Sequence, residues 1–338
     1  MKSHYNIWIA ESYSCQNDII QLLKRSNLSA HLTIFCSHSK QRPELKLCAD
    51  YFFQQPPVEH SADWLLEQCK KHAIQLLFCG KHSQFIEKLR EEFARHDIQL
   101  VTGATGIAQH ENMNNKFLFG EICEALNLPN IPAAKVDHVV GLKQAIDDYQ
   151  KKYSHICAKP VYGVYGSGFV QLRNEVSYFK QFQLNTQCNT QQFIEAYAQL
   201  DQPIEYLIMP FLTGQECSVD IACSHGQILA LVTRVKFKFY QQCYIEHPCH
   251  EICKILVQHF QCDGLINIQF KQDDLGVWHI LEINPRPAGG FAYTQHTGIN
   301  LIAELMAEKL QLTLQHTDFV PVVQVLPITQ SFKMDCTH

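Results

Sequence analysis

The chain has no apolar run approaching the roughly 18 residues that a membrane-spanning helix needs, so no membrane role is expected. It also has no block of like charge, and its net charge is −5. Without a basic stripe, nothing recommends nucleic acid or an anionic lipid surface as a partner. The opening MKSHYNIWIAES lacks the apolar core and small-residue cleavage site of a secretory signal, which makes the cytoplasm the expected location. No glycine occurs in Glu11–Asn17, the loop expected after the first strand. The missing G-x-G-x-x-G removes the main support for a nicotinamide-dependent oxidoreductase. C-x-x-C pairs are missing too, although there are 15 cysteines. The one local cluster, Cys243, His247, Cys249, His250 and Cys253, matches zinc spacing only loosely. Its later members fall on an amphipathic helix whose apolar face is expected to carry Ile252, Ile255, Leu256, His259 and Phe260. Buried and surface thiols in a reducing compartment are the preferred account of the cysteines.

What is present fits a folded α/β chain. At 338 residues two or three domains are expected, and 46% hydrophobic residues is ordinary for a packed protein. In the first hundred residues, apolar runs at Ile7–Ala10, His31–Cys36, Gln75–Cys79 and Ile98–Val101 read as strands. They alternate with helical patterns at Asp18–Arg25, Ser61–His72 and Phe85–His96, which argues for a parallel sheet covered on both faces. Thr102–Gly106 reads as a loop and boundary. Helices are then expected at Asn115–Asn127 and near Gly141–Lys152. The strand His155–Pro160 runs into VYGVYGSGF, whose Gly163, Gly166 and Gly168 let the backbone turn tightly and approach an anion. Lys159 precedes that turn. Strands at Glu205–Met209, Glu216–Ala222 and Ile228–Val235 follow, the last carrying Arg234.

The densest signal is WHILEINPRPAGG, Trp278–Gly290. Residues two apart on a strand share a face, so Glu282 and Asn284 project together as oxygen ligands suited to Mg²⁺. Arg286 follows between Pro285 and Pro287, where its fork could hold a phosphate or carboxylate. A hairpin turn is expected at Asp273–Gly276. With Gln272 facing Val277, Asn267 lies opposite Glu282 and Gln269 is its diagonal neighbour. A helix at Asn300–Leu310 and a strand near Phe319–Leu326 close the chain. Taken singly, Lys159 could be a strand-edge lysine and Glu216 a solvated strand start. His225, His247, His259 and His296 read as surface or capping residues. His296 is set apart because it follows the arginine loop and could touch an acceptor.

In order, Asn115-Lys116, AKPVYGVYGSGF, IMPFLTGQE, NIQF and LEINPRPAGG resemble the ATP-grasp superfamily. The likeness is to its carbamoyl-phosphate synthetase-like and carboxylate–amine ligase branch. The resemblance implies an N-terminal Rossmann-like parallel-sheet domain and two α+β lobes gripping the nucleotide. The segments would be 1–105, a linker and helix at 106–130, a lid at 131–207, and 208–338 with the metal site. It implies ATP and Mg²⁺ (or Mn²⁺) as cofactors. Lys116 and Lys159 match phosphate-side lysines, and Gly163, Gly166, Ser167 and Gly168 match the loop over the phosphates. Met209, Pro210, Phe211 and Leu212 match the adenine connector, and Glu216 matches the ribose acid. Gln269, Glu282 and Asn284 match the metal ligands, Arg286 matches the holder of the transferred phosphate, and Arg234 resembles a further cation there. Met209 stands where many members have an acid, and Gln269 where most have a carboxylate. The implied activity joins small-molecule carboxylate and amine substrates with release of ADP, with a homodimer as the default assembly. A non-catalytic nucleotide-binding subunit, or a carboxylase-like or carbamoyl-phosphate domain acting with a partner, are the alternatives.

Overall fold

The computed structural model describes residues 4–164, 166–181 and 186–328; Tyr165, inside the expected glycine loop, lies outside them. The strands in chain order begin with β1 (Tyr5–Ile9), β2 (Leu32–His38), β3 (Tyr51–Gln54), β4 (Leu76–Phe78), β5 (Gln99–Val101) and β6 (Gly103–Ala104). Next come β7 (Ala134–Val136), β8 (Ile156–Pro160), β9 (Val170–Arg173), β10 (Gln187–Asn189) and β11 (Tyr206–Pro210). The last are β12 (Glu216–Ser224), β13 (Gln227–Lys236), β14 (Gln241–Tyr244), β15 (Cys262–Gln272), β16 (Trp278–Asn284) and β17 (Val322–Val325). By packing, the chain forms two compact units. One comprises Met1–Glu111, Cys217–Gln269 and Ile283–His338; the other comprises Asn112–Glu216 and Phe270–Glu282.

In the first unit, β3-β2-β1-β4-β5 form a sheet whose pairings are all parallel. Ile7, Ile9, Ile34, Leu76 and Phe78 bury one face of it against helices Gln16–Arg25 and Leu301–Leu310. Trp8, Phe35, Leu77 and Leu100 bury the other with Leu65 and Phe93. Such strands are apolar on both faces, as a doubly covered parallel sheet requires. The same unit holds an antiparallel stretch, β15-β12-β13-β14-β17, with β6 added to β15. Ala222 and Leu265 of this sheet join the core of the parallel sheet. The second unit is built on β10-β9-β8-β11-β7, with helix Val139–Lys152 packed on it through Leu142, Ala145 and Ile146.

Several local readings are corrected. The helix expected at Phe85–His96 is two short helices, Gln84–Glu87 and Arg90–Arg95, because Leu89 leaves helical geometry at φ −103°, ψ 15°. Helix Pro43–Cys48 and β3 stand where no element was assigned, and helix Ile107–Asn114 follows the Thr102–Gly106 segment, which contains β6. In helix His250–His259 the buried positions are Cys253, Leu256 and Val257, with Phe260 at the cap. Ile255 and His259 are exposed, so the apolar face is rotated from the expected one. The hairpin turn closes at Asp273 rather than Gln272, with the Asp273 N–H bonded to the Val277 carbonyl at 3.0 Å. The Asp273 carboxylate accepts from the Leu275 and Val277 N–H groups, both at 2.9 Å. Asp273 was already expected in the turn, but it and not Gln272 faces Val277, so the pairing premise that set Asn267 opposite Glu282 does not hold.

Candidate active site

In the second unit, Asn115 caps helix Lys116–Ala125 by accepting from the Phe117 and Leu118 N–H groups at 3.2 Å each. This satisfies donors that every helix start leaves open. The same amide donates to the Tyr162 hydroxyl at 2.9 Å, and Lys116 Nζ donates to the Gly163 carbonyl at 2.9 Å. The helix start is therefore fastened to the glycine loop at two points. Gly166 and Gly168 have φ of 68° and 75°, the left-handed region that side chains resist. A Cβ on Gly168 would also lie 2.6 Å from Pro160 Cγ.

Lys159, near the end of β8, donates to Glu282 Oε2 at 2.7 Å. Beside this pair is an apolar slot in which Ile131, Cys157 and Met209 are buried with Phe169, Leu212 and Leu281 packed on them. Burial pushes the Cys157 thiol up to about 12, so it serves as an apolar wall and not a nucleophile. A cavity of about 210 Å³ is lined by Lys116, Lys159, Ile131, Met209 and Leu281 among others. That is below the roughly 300–1,000 Å³ of sites for whole drug-sized ligands. Met209 and Pro210 end β11 opposite Cys157 and Ile156, and the Phe211 N–H bonds the His155 carbonyl at 2.9 Å. Lys271 lies over the Phe211 ring at 5.8 Å and 3.7 Å from Glu216.

In the first unit, Gln269 Nε2 donates to Asn267 Oδ1 at 3.4 Å, and Asn267 donates to Asp220 at 3.0 Å. Asp220 in turn accepts from Arg234 Nε at 2.5 Å, and Arg234 Nη1 donates to Gln241 at 2.6 Å. With its nitrogen turned to Asn267, the Gln269 amide has its oxygen as the end for a cation. Arg234 is buried; burial opposes its charge, but Asp220 outweighs that and raises its pKa. A Cβ on Gly290 would lie 2.7 Å from Arg234 Nη1, so glycine lets the PAGG loop close on the guanidinium.

Half-buried Arg286 stacks 4.9 Å over the Tyr13 ring, and its N–H bonds the Asn284 carbonyl at 2.8 Å. Tyr13 OH lies 3.4 Å from His82 Nε2. Lys81 binds Glu11 at 2.6 Å. These residues follow the carboxyl ends of β1 and β4, the place where open parallel sheets take ligands. His296 is exposed on the turn Phe291–Thr297.

Residues 202–332 match the family model described as "ATP-grasp in the biosynthetic pathway with Ter operon". The chain has the ATP-grasp fold. An N5-carboxyaminoimidazole ribonucleotide synthetase in its ADP complex has a TM-score of 0.67 at 15% identity, covering 94% of this chain and 80% of that one. The biotin carboxylase domain of a Hydrogenobacter thermophilus 2-oxoglutarate carboxylase, with MgADP and bicarbonate, has a TM-score of 0.66 at 14% identity, covering 94% and 72%. An L-amino acid ligase from Bacillus licheniformis has a TM-score of 0.59 at 15% identity, covering 93% and 76%. No curated protein matches the sequence. At these identities the structural likeness establishes the ATP-grasp fold. No helix among the described residues is long and apolar enough to cross a membrane.

Sequence reasoning missed Tyr13, Asp220 and Lys271. Lys271 shares the strand alternation of Gln269 and could have been found from it. Tyr13 had no signal, because its partner is distant in the chain; Asp220 and Arg234 lie on the paired strands β12 and β13.

Proposed function

We propose that the protein is an ATP-dependent, ADP-forming carboxylate–amine ligase. The observation that carries this reading is Lys159 bonded to Glu282 beside the apolar slot, with the glycine loop fastened to Lys116 in the same unit. A carboxylate already holding a cation is a fitting metal ligand, and the slot is apolar enough for a purine. Adenine is assigned to the slot, with backbone groups of Met209–Leu212 as its hydrogen-bond partners and Glu216 toward the ribose. Lys116, Lys159, Gly163, Gly166, Ser167 and Gly168 are assigned to the phosphates.

Glu282, Gln269 and Asn284 are assigned to Mg²⁺, an oxygen-only donor set of the kind this hard cation takes. When bound, the ion would offset charge on the β- and γ-phosphates. The remaining work falls to the chain's own cations. Arg286 would hold the transferred phosphoryl group, and its charge-assisted fork gains strength as charge shifts in the transition state. Arg234, fixed by Asp220 and Gln241, is proposed as the further cation on that side. An acid substrate oxygen attacks the γ-phosphorus, the bond to ADP breaks, and an amine displaces phosphate from the acyl phosphate and loses a proton. The segment 131–207 is proposed to close over the nucleotide and exclude water from that intermediate.

An ADP-release assay over a panel of carboxylates and amines tests the reading. Bicarbonate belongs in the panel because one structural neighbour was solved with it. Release of ADP that requires both a carboxylate and an amine supports the ligase. Saturable MgATP binding without turnover would favour a regulatory subunit instead.

A further inference from the structure

Within the first unit alone, the fold gathers Cys217, His247 and Cys249. One ligand atom from each lies within 4.8 Å of the others. Cys217 follows Glu216 at the start of β12, and Cys249 stands at the N-cap position of helix His250–His259, whose start favours negative charge. His247 lies on the segment between β14 and that helix, half-buried where the two thiols are buried. In the sequence, zinc is set aside because Cys243, His247, Cys249, His250 and Cys253 match its spacing only loosely; Cys217, 32 positions before Cys249, is not part of that cluster, and the structure brings it in.

The geometry points to a site for a borderline-soft divalent cation, with Zn²⁺ as the fitting ion, held by Cys217 Sγ, Cys249 Sγ and a His247 ring nitrogen. The two sulfurs are 4.0 Å apart. Two metal–sulfur bonds of about 2.3 Å opening at a tetrahedral to trigonal angle place sulfurs roughly 3.8–4.0 Å apart. A disulfide needs about 2.05 Å, so the observed spacing suits a shared ion. Charge agrees: two thiolates, a neutral imidazole and a divalent ion sum to zero, which burial tolerates. The thiol protons leave to solvent as the ion binds. Three protein ligands leave a fourth position for water or another donor. Oxygen-seeking Mg²⁺ has no reason to enter.

The test is titration of the reduced, chelator-stripped full chain with Co²⁺, followed by displacement with Zn²⁺. One Co²⁺ per chain is expected, with thiolate-to-cobalt charge-transfer absorption that one equivalent of Zn²⁺ removes and excess Mg²⁺ leaves. Cys217→Ser and Cys249→Ser should each weaken Zn²⁺ binding by more than the roughly 10–100-fold that loss of an outer partner costs. His247→Ala, at a half-buried loop position, keeps the test valid if the buried variants misfold. It should weaken Zn²⁺ binding at least roughly 10-fold while leaving the thermal shift with MgATP unchanged. Absence of a charge-transfer band in the wild type would overturn the site. So would a band unchanged in His247→Ala, or a Cys217–Cys249 disulfide forming where the reduced chain takes up no metal.

Discussion

Lys159 Nζ sits 2.7 Å from Glu282 Oε2, with both side chains largely shielded from solvent. The proposed metal ligand is therefore neutralised by the proposed phosphate ligand. Binding of MgATP would exchange partners, with the metal taking the carboxylate and the ammonium turning to phosphate. Lys159→Met should then tighten Mn²⁺ binding in the absence of nucleotide, about tenfold for a partly screened pair, while weakening ATP. Electron paramagnetic resonance titration of Mn²⁺ checks the first effect and calorimetry the second. Glu282→Ala should remove most of the rise in Tm that MgATP produces. Weaker Mn²⁺ binding in Lys159→Met would contradict the exchange.

Arg286 stacks on Tyr13, which orients the guanidinium and leaves its charge for a phosphate. Loss of a bidentate contact made mainly in the transition state is worth about 2–4 kcal/mol, or roughly 30- to 1,000-fold in rate. Arg286→Lys should lower kcat by that range with little change in ATP affinity, because a point charge cannot copy the fork. A loop-anchoring role would instead lower Tm and spare kcat.

Gly168 combines a φ of 75° with a close approach to Pro160. Gly168→Ala should displace the loop and raise the KM for ATP several-fold. Hydrogen exchange across 162–169 should slow when a nonhydrolysable ATP analogue binds wild type, and slow less in the variant. Equal exchange with and without analogue would remove the loop from the phosphate site.

His110 is buried with Nδ1 lacking a hydrogen-bond partner and Nε2 3.2 Å from the Ala104 carbonyl. Burial lowers its pKa to about 4 from the ordinary 6.5. Below pH 6.5 the unfolded chain takes up this proton and the folded one does not, so stability is complete above 6.5 and falls between 6.5 and 4. From pH 7 to pH 5 this is about 1–2 kcal/mol. Urea denaturation at both pH values should show a smaller pH dependence in His110→Asn by that amount. An identical pH dependence would mean the imidazole charges without cost in the fold.

Much of this arrangement was legible in the sequence where the signal is local. The helix start at Asn115-Lys116, the alternation that sets Glu282 and Asn284 on one strand, and the Gly166–Gly168 turn are each settled by neighbours a few positions away. Contacts between distant segments were not legible. Tyr13 meets Arg286 only after folding, and Cys217 reaches Cys249 the same way. The hairpin closed at Asp273 because one carboxylate captured two N–H groups, a competition that apolar alternation does not register. The short helix Pro43–Cys48 begins at a proline and carries only two buried residues, Leu45 and Cys48, too few to make a period.

The proposed ligase passes through an acyl phosphate. The direct measurement incubates it with MgATP, a panel of carboxylates and hydroxylamine, which traps acyl phosphates as hydroxamates. Hydroxamate and ADP should appear in equal amounts with at least one acid, and Arg286→Ala should abolish both. Formation of AMP, or MgATP binding with no acid-dependent ADP across the panel, would contradict the account.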